Sequence, residues 1–392
     1  MNSENPRTLS PRAARPAICA LFFINGFAFA TWVSRIPAVQ QTLGLSAASL
    51  GLALAGIGAG SLVSMPFAGW LIARIGSRPV TTIATLACGA SVVLPVIAWS
   101  VGTLALALFF FGAALGAMDV AMNAQGVELE QRYDRPIMAA FHAFFSLGGM
   151  TGSAIGGAVS ARGATLAQHF ATAGVVLLAL AVVTLPFLIT TPPPARHAPA
   201  RLRLSRTLVA LCVVGTAVMV CEGAMADWTP VYLESVLGTG PGLAAAGYAV
   251  FSAAMTVGRL TGDWLTTRIG RVRIVRLGSV LAAAGLAAAL IFDSVPVALA
   301  GYVCVGAGFS TIVPLVFSAA GRLEERSAGP GLAAVTTAGY VGLLCGPAVI
   351  GFLAEHTSLR FALGATVVLA VLGIPLAGSV EVERSLKTYP SR

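Results

Sequence analysis

The sequence predicts an all-α membrane protein: twelve transmembrane helices arranged as two six-helix halves. Three observations predict it. Charge is scarce and confined to short breaks, arginines recur at every second break, and segments repeat at an offset of 194 residues.

Of 392 residues, 57% are hydrophobic and 10% charged, and mean hydropathy is +0.87. Soluble globular chains carry about 25% charged residues. Residues 36–73 and 79–118 contain no charge at all. Each run exceeds the roughly 20 helical residues that cross a bilayer core, so each holds a turn at the surface or a span with overhanging ends. A buried soluble core accounts for one such run, but a chain this short has too few polar residues to cover a dozen. A lipid-facing β-barrel would alternate apolar and polar residues, whereas LALALFFFGAALGA and AGVVLLALAVVTLPFLI are apolar on all sides. The 44 glycines suit helices that approach closely in lipid. Six cysteines, at 19, 88, 212, 221, 304 and 345, are scattered singly and read as small buried hydrophobes, not a metal or disulfide framework. The first apolar stretch lacks a small-residue cleavage pattern and is followed by further spans.

Charges, Pro/Gly breaks and apolar length place spans at 16–37, 46–72, 79–99, 103–127, 137–160, 166–189, 207–233, 243–266, 274–292, 296–319, 331–353 and 361–379. An even count puts both termini on one side. Twenty of the 24 basic residues fall on that side: Arg7, Arg12, Arg15, Arg74, Arg78, Arg132, Arg135, Arg196, Arg201, Arg203, Arg206, Arg268, Arg271, Arg273, Arg276, Arg322, Arg326, Arg384, Lys387 and Arg392. Three fall on the other, Arg35, Arg162 and Arg360, and Arg259 sits within the eighth span. The positive-inside rule then makes both termini cytoplasmic. The formal charge of +9 reflects this topology, and no nucleic-acid partner is expected.

The organisation expected is a cytoplasmic tail at 1–15, a six-helix bundle at 16–190, a central cytoplasmic loop at 191–206, a second bundle at 207–380 and a tail at 381–392. The loop is rich in proline and arginine, as a surface linker should be. AGWLIARIGSR at 68–78 matches GDWLTTRIGRV at 262–272. The same offset superposes Gly112 on Gly306, Gly148 on Gly342, Gly152 on Gly346 and Gly157 on Gly351. Halves related by an axis along the membrane normal enclose a cavity between them and can rock about it.

Ionisable groups inside spans are costly and therefore candidate functional sites. Asp119 in the fourth span, with Asn123 one turn on, is a candidate for proton coupling beside a solute-binding amide. His142, with a side chain able to titrate near neutral pH, is a coupling candidate expected at similar depth. Glu222, a further coupling candidate, and Asp227, a binding candidate, lie in the seventh span. Glu222 aligns with Ala28 and Asp119 with Val313, so neither acid belongs to the shared packing frame. In the first span Asn25 is expected at the cavity and Trp32 to stack on a ring-shaped solute. Arg35 is expected to snorkel or pair with an acid. Arg259 is expected to pair with Asp263 four residues on, as a gate or scaffold. Gly148, Gly152, Gly156, Gly342, Gly346 and Gly351, with Pro347, read as close-packing faces; Phe141, Phe144 and Phe145 read as packing aromatics.

Six plus six spans, a central basic loop and the duplicated GWLxxRIG and DWLxxRIG segments resemble the major facilitator superfamily. Its signature loop after the second span has a glycine, an aspartate–arginine pair, then a glycine and a basic residue. Gly69, Arg74, Gly76 and Arg78 match, with Ala73 in place of the aspartate; Asp263, Arg268 and Gly270 match in the second half, with Thr267 in that place. The resemblance implies a gating or scaffold role for these positions and for Arg259, with the acid lost from the usual charge network. DVAMNAQGVELE, FHAFFSLGGMTG, EGAMADW and VGRLTGDWLTTRIG resemble a bacterial inner-membrane branch related to fucose/proton symporters, which implies a bacterial inner membrane as the location. In those symporters an acid of the fourth span couples protons, which Asp119 or Glu128 would match here.

The function expected is secondary active transport of a small solute by alternating access, coupled to protons, in a monomer needing no cofactor or metal. A sugar or related polar metabolite would require a cavity rich in Asn, Gln and aromatics. Proton-driven efflux of apolar or cationic compounds would require a wide apolar cavity with a single acid. A non-transporting receptor or structural membrane protein is the alternative of another class, against which the duplicated halves and intramembrane acids speak. An enzyme is not expected, because HExxH, CxxC and glycine-rich nucleotide loops are missing from the sequence. Nor is a channel, since no filter-like repeated loop occurs.

Overall fold

The computed structural model describes residues 11–132, 137–190, 204–323 and 329–381. Most of the proposed tails, of the 191–206 loop and the basic residues within them lie outside the described residues.

Local sequence sets where the chain turns. The first traverse is α1 (Pro11–Val33) followed by α2 (Ile36–Leu43), so it continues beyond the expected end at residue 37. It breaks at Ser34–Arg35 because Pro37, in the first turn of α2, has no N–H for a continuous helix. Next come α3 (Ala47–Ile75), α4 (Ser77–Ser91), α5 (Val101–Glu130), α6 (Met138–Ala161) and α7 (Leu166–Thr184). The second half holds α8 (Arg206–Ser235), α9 (Pro241–Ile269), α10 (Arg271–Ile291), α11 (Val295–Phe309), α12 (Ile312–Arg322), α13 (Gly329–His356) and α14 (Leu359–Leu376), with α11 and α12 forming one broken traverse. Ser46, Ser100, Thr165 and Ser358 cap α3, α5, α7 and α14, each accepting a bond from a first-turn amide. Gly76 and Gly270, 194 residues apart, join α3 to α4 and α9 to α10 in a single residue at φ 85°, a conformation that glycine adopts without the Cβ penalty.

Among the described residues, eleven stretches are long and apolar enough to cross a membrane. The twelfth traverse is the 24-residue α6, whose apolarity is diluted by glycines, serines and His142. Large side chains such as Leu106, Val175 and Val368 are exposed on the outer surface, as a lipid-facing wall requires. Trp70, Trp99 and Trp264 are exposed near helix ends, where amphipathic rings favour the membrane–water boundary. Cys19, Cys88 and Cys221 are buried as expected, but Cys345 is exposed and Cys212 and Cys304 are intermediate; all six are free.

The repeat reappears as packing. A Cβ added at Gly112 would meet the backbone of Ile57, and one at Gly306 the backbone of Phe251; both partners are also 194 residues apart. Between the halves, Gly157 of α6 lies against Gly242 at the start of α9, and Gly351 of α13 against Ala47 at the start of α3. These exchanged contacts are those of a pseudo-twofold axis running along the helices.

We define the terminal face as the one carrying Pro11 and Glu381, and the distal face as its opposite. The distal ends of the halves meet backbone to backbone. At Gly51 an added Cβ would collide with the Pro347 carbonyl oxygen, and at Gly157 it would stand 2.8 Å from the Gly242 carbonyl oxygen. Ser153 Oγ donates to the Ala245 carbonyl at 2.7 Å, and Gln41 Nε2 to Glu234 at 2.6 Å. Gly148, Gly152 and Gly156 do not lie on this seam: they fit α6 against Phe23, Phe27 and Ser34 within one half.

Candidate functional site

A cavity of about 210 Å³ lies between the halves. Its walls come from α1, α3, α5 and α6 on one side and α8, α9 and α13 on the other. Gly58, Gly116 and Gly223 also line it; a Cβ added at them would stand 2.7 Å from Leu344 Cα, 2.7 Å from Ser61 Cα and 2.9 Å from Leu343 Cδ2, so close helix approach frames the cavity.

Five of the wall residues are polar or charged candidates from the sequence: Asn25, Asp119, Glu222, Asp227 and Arg259. Asn25 on α1 donates from Nδ2 to the Leu115 carbonyl at 3.2 Å. That bond ties α1 to α5 and leaves its amide oxygen without a protein donor among the described residues. Asp119 on α5 accepts from two neutral donors, Asn123 Nδ2 at 3.2 Å and the Tyr340 hydroxyl of α13 at 3.1 Å. The second bond crosses between the halves. Asn123 also donates to the Asp119 carbonyl at 2.8 Å, so it serves Asp119 and is not on the cavity wall.

The expected pairing of Arg259 with Asp263 is corrected. Arg259 lies on the cavity side of α9, where better acceptors face it, while Asp263, one turn nearer the terminal face, is exposed. The Arg259 guanidinium donates to Ser146 Oγ at 2.6 Å and to the His142 carbonyl at 3.3 Å, both on α6 of the other half. It also stands 3.9 Å from Glu222 on α8, a loose ion pair within its own half. Glu222 Oε1 and Arg259 Nε are buried without a hydrogen-bond partner, so the pair is incompletely satisfied, and an unmet buried polar atom is costly. Asp227, 7% exposed, has no hydrogen bond or ion pair from its carboxylate among the described residues.

Other expectations are displaced. Trp32 is wholly buried and stacks on Phe170 of α7 at 6.5 Å, away from the cavity. It points outward from the interface because α7 packs on that face of α1. The His142 ring packs edge-on to Phe22 at 5.2 Å; it does not join the Asp119–Asn123 face, and only its backbone serves the interface. Phe145, read as packing, lines the cavity, whereas Phe141 stacks on Phe22 and Phe144 is exposed. Arg35 is buried and donates to the Ala164 carbonyl at 2.7 Å, so it neither snorkels nor bonds to an acid.

The signature loops sit on the terminal face. With Ala73 and Thr267 in place of acids, Arg74 lies over the Trp70 ring at 4.2 Å and Arg268 over Trp264 at 4.9 Å. A cation–π contact within one helix turn thus takes the place of the expected charge pair. Arg78 bonds to Thr190 at 2.7 Å, and Gly69 faces open space. Sequence reasoning missed Tyr340, Tyr248 and Ser146 because it searched for charge. Their only signal is a hydroxyl within an otherwise apolar span.

The model of the Major Facilitator Superfamily matches residues 18–329. The chain belongs to that superfamily. It is a secondary transporter, not an enzyme. It is 36% identical over 348 residues to an uncharacterised MFS-type transporter of Yersinia pestis, covering 89% of this chain and 91% of that one. It is 32% identical over 380 residues to the membrane protein MosC of Rhizobium meliloti, covering 95% and 91%. Among solved structures it resembles an inward-facing bacterial homologue of the human lysosomal transporter Spinster, with a TM-score of 0.71, 15% identity and coverage of 93% and 95%. The nucleoside transporter NupG gives the same TM-score and identity, with coverage of 94% and 98%. At such identity these likenesses speak for the fold alone.

Proposed function

We propose that this protein is a proton-coupled transporter of the bacterial inner membrane, monomeric and working by alternating access around the cavity. The observation that carries the proposal is the Asp119–Tyr340 bond, which joins a titratable group to both halves. A hydrogen bond to a charged group contributes about 1.5–3 kcal/mol, enough to shift a two-state equilibrium roughly 10- to 100-fold. Protonating Asp119 removes the charge that Tyr340 serves and that is costly to occlude. Proton uptake and the relative position of the halves are thereby linked. Glu222 acts as a second proton site, held by Arg259. Trp70–Arg74 and Trp264–Arg268, with the glycines beside them, act as scaffold for the loops that move.

The arginine distribution supports a cytoplasmic terminal face with cytoplasmic termini. With its distal backbone seal, the described state is then closed toward the outside. On the terminal side, side chains span the seam instead: Arg259 with α6, and Tyr340 with Asp119. Kinship with fucose/proton symporters rests on the resemblance of the quoted stretches. A sugar site rich in amides is not supported by a wall whose one amide side chain is Asn25.

The test is proton movement in proteoliposomes loaded with a pH dye and challenged with sugars, organic acids and organic cations. A solute-driven pH change that Asp119→Asn abolishes is expected. Labelled solute moving with no pH change would overturn proton coupling.

A further inference from the structure

We infer that the solute carries an ammonium group, and that the Asp227 carboxylate with the rings of Phe29, Tyr248 and Phe251 forms the subsite that receives it. This deepens the transport reading and rests on it for the direction of movement only, because the binding chemistry is argued from the cavity alone. The wall carries three carboxylates, Asp119, Glu222 and Asp227, against one base, Arg259. The first is met by Asn123 and Tyr340, and the second by Arg259. Asp227, more than nine-tenths buried and lining the cavity, is met by nothing among the described residues. Arg259 is committed elsewhere, to Ser146, the His142 carbonyl and Glu222.

A buried carboxylate without a partner needs a cation or a proton. The surroundings favour an organic cation. Phe29 of α1 meets Tyr248 of α9 edge-on at 6.1 Å, and Tyr248 lies 5.8 Å from Phe251. These three rings line the same cavity as Asp227. Aromatic faces attract an alkylated ammonium and cover its methylene groups, which a hydrated metal ion would not exploit. The subsite is shared between halves, since Phe29 belongs to the first and the other three residues to the second. An ammonium held there therefore bridges the halves as they close. Met255, Leu54 and Leu343 continue the wall and suit an apolar remainder of the solute.

The test measures equilibrium binding to the purified full-length protein in detergent, without a gradient. The probes are benzyltrimethylammonium, its neutral isostere neopentylbenzene, and phenylacetate. The expected result is a preference of at least about tenfold for the ammonium over both others, lost in Asp227→Asn and largely retained in Asp227→Glu. A wild-type protein that binds the neutral or anionic probe as well as the cation, or that binds none at millimolar concentration, overturns the inference, as does a preference that survives in folded Asp227→Asn. The wild-type comparison decides the matter even where the variants fail to fold. Because no transport is measured, solute-driven pH change can fail while the cation preference stands, and a transported neutral solute with no cation preference separates the two in the other direction.

Discussion

At the scale of residues, the interface is held by polar contacts that are individually modest and mutually dependent. Arg259 serves Glu222 in its own half and Ser146 in the other. Removing it in Arg259→Met leaves an unpaired carboxylate, expected to cost on the order of 1–3 kcal/mol in thermal unfolding of the purified protein. Adding Glu222→Gln is expected to recover most of that loss. Additive losses in the double variant would mean that the pair contributes nothing as a pair. Ionisable residues were legible in the sequence because charge in an apolar span has few uses; Asp119, Glu222, Asp227 and Arg259 all reach the cavity. Partners were less legible. Arg259 with Asp263 satisfied helix spacing, but spacing along one helix says nothing about a better acceptor on a neighbour, and Ser146 and Tyr340 are distant in sequence. Trp32 was misplaced for the same reason: one span cannot say which of its faces meets α7.

At the scale of elements, the spans were legible because each surface turn carries charge, proline or a cap. The broken first and tenth traverses were not, since the Ser34–Arg35 and Phe309–Ile312 breaks fall inside runs that read as continuous. Close helix approach was visible as glycine spacing, but which glycines face the other half depends on packing that the repeat does not specify. Gly51 is one that does. Gly51→Leu places a side chain against the Pro347 carbonyl and is expected to open the distal seam. In a background without the six natural cysteines, Ala48→Cys should then react severalfold faster with a membrane-impermeant maleimide added from outside. Unchanged reactivity would show that the seam tolerates the larger residue.

At the scale of the whole molecule, two halves built on one packing scheme enclose a cavity whose charge they do not share equally. Asp119 comes from the first half, while Glu222, Asp227 and Arg259 come from the second. In the proposed cycle symmetry supplies the rocking axis, and the asymmetry supplies the chemistry. The arginine bias implies that a fluorescent protein fused after Arg392 is cytoplasmic and fluoresces; a dark, full-length fusion would reverse the orientation. The central claim is that a single cavity opens alternately to the two faces and that Asp119 couples this to protons. Electron-paramagnetic distances between spin labels test it most directly, with one pair at Leu45→Cys and Thr357→Cys on the distal face and another at Ile75→Cys and Leu332→Cys on the terminal face. On acidification the two distances are expected to change in opposite directions, and in Asp119→Asn both are expected to stay fixed across the same pH range. Distances that move together, or that respond to pH in Asp119→Asn as they do in the unsubstituted protein, would contradict the account.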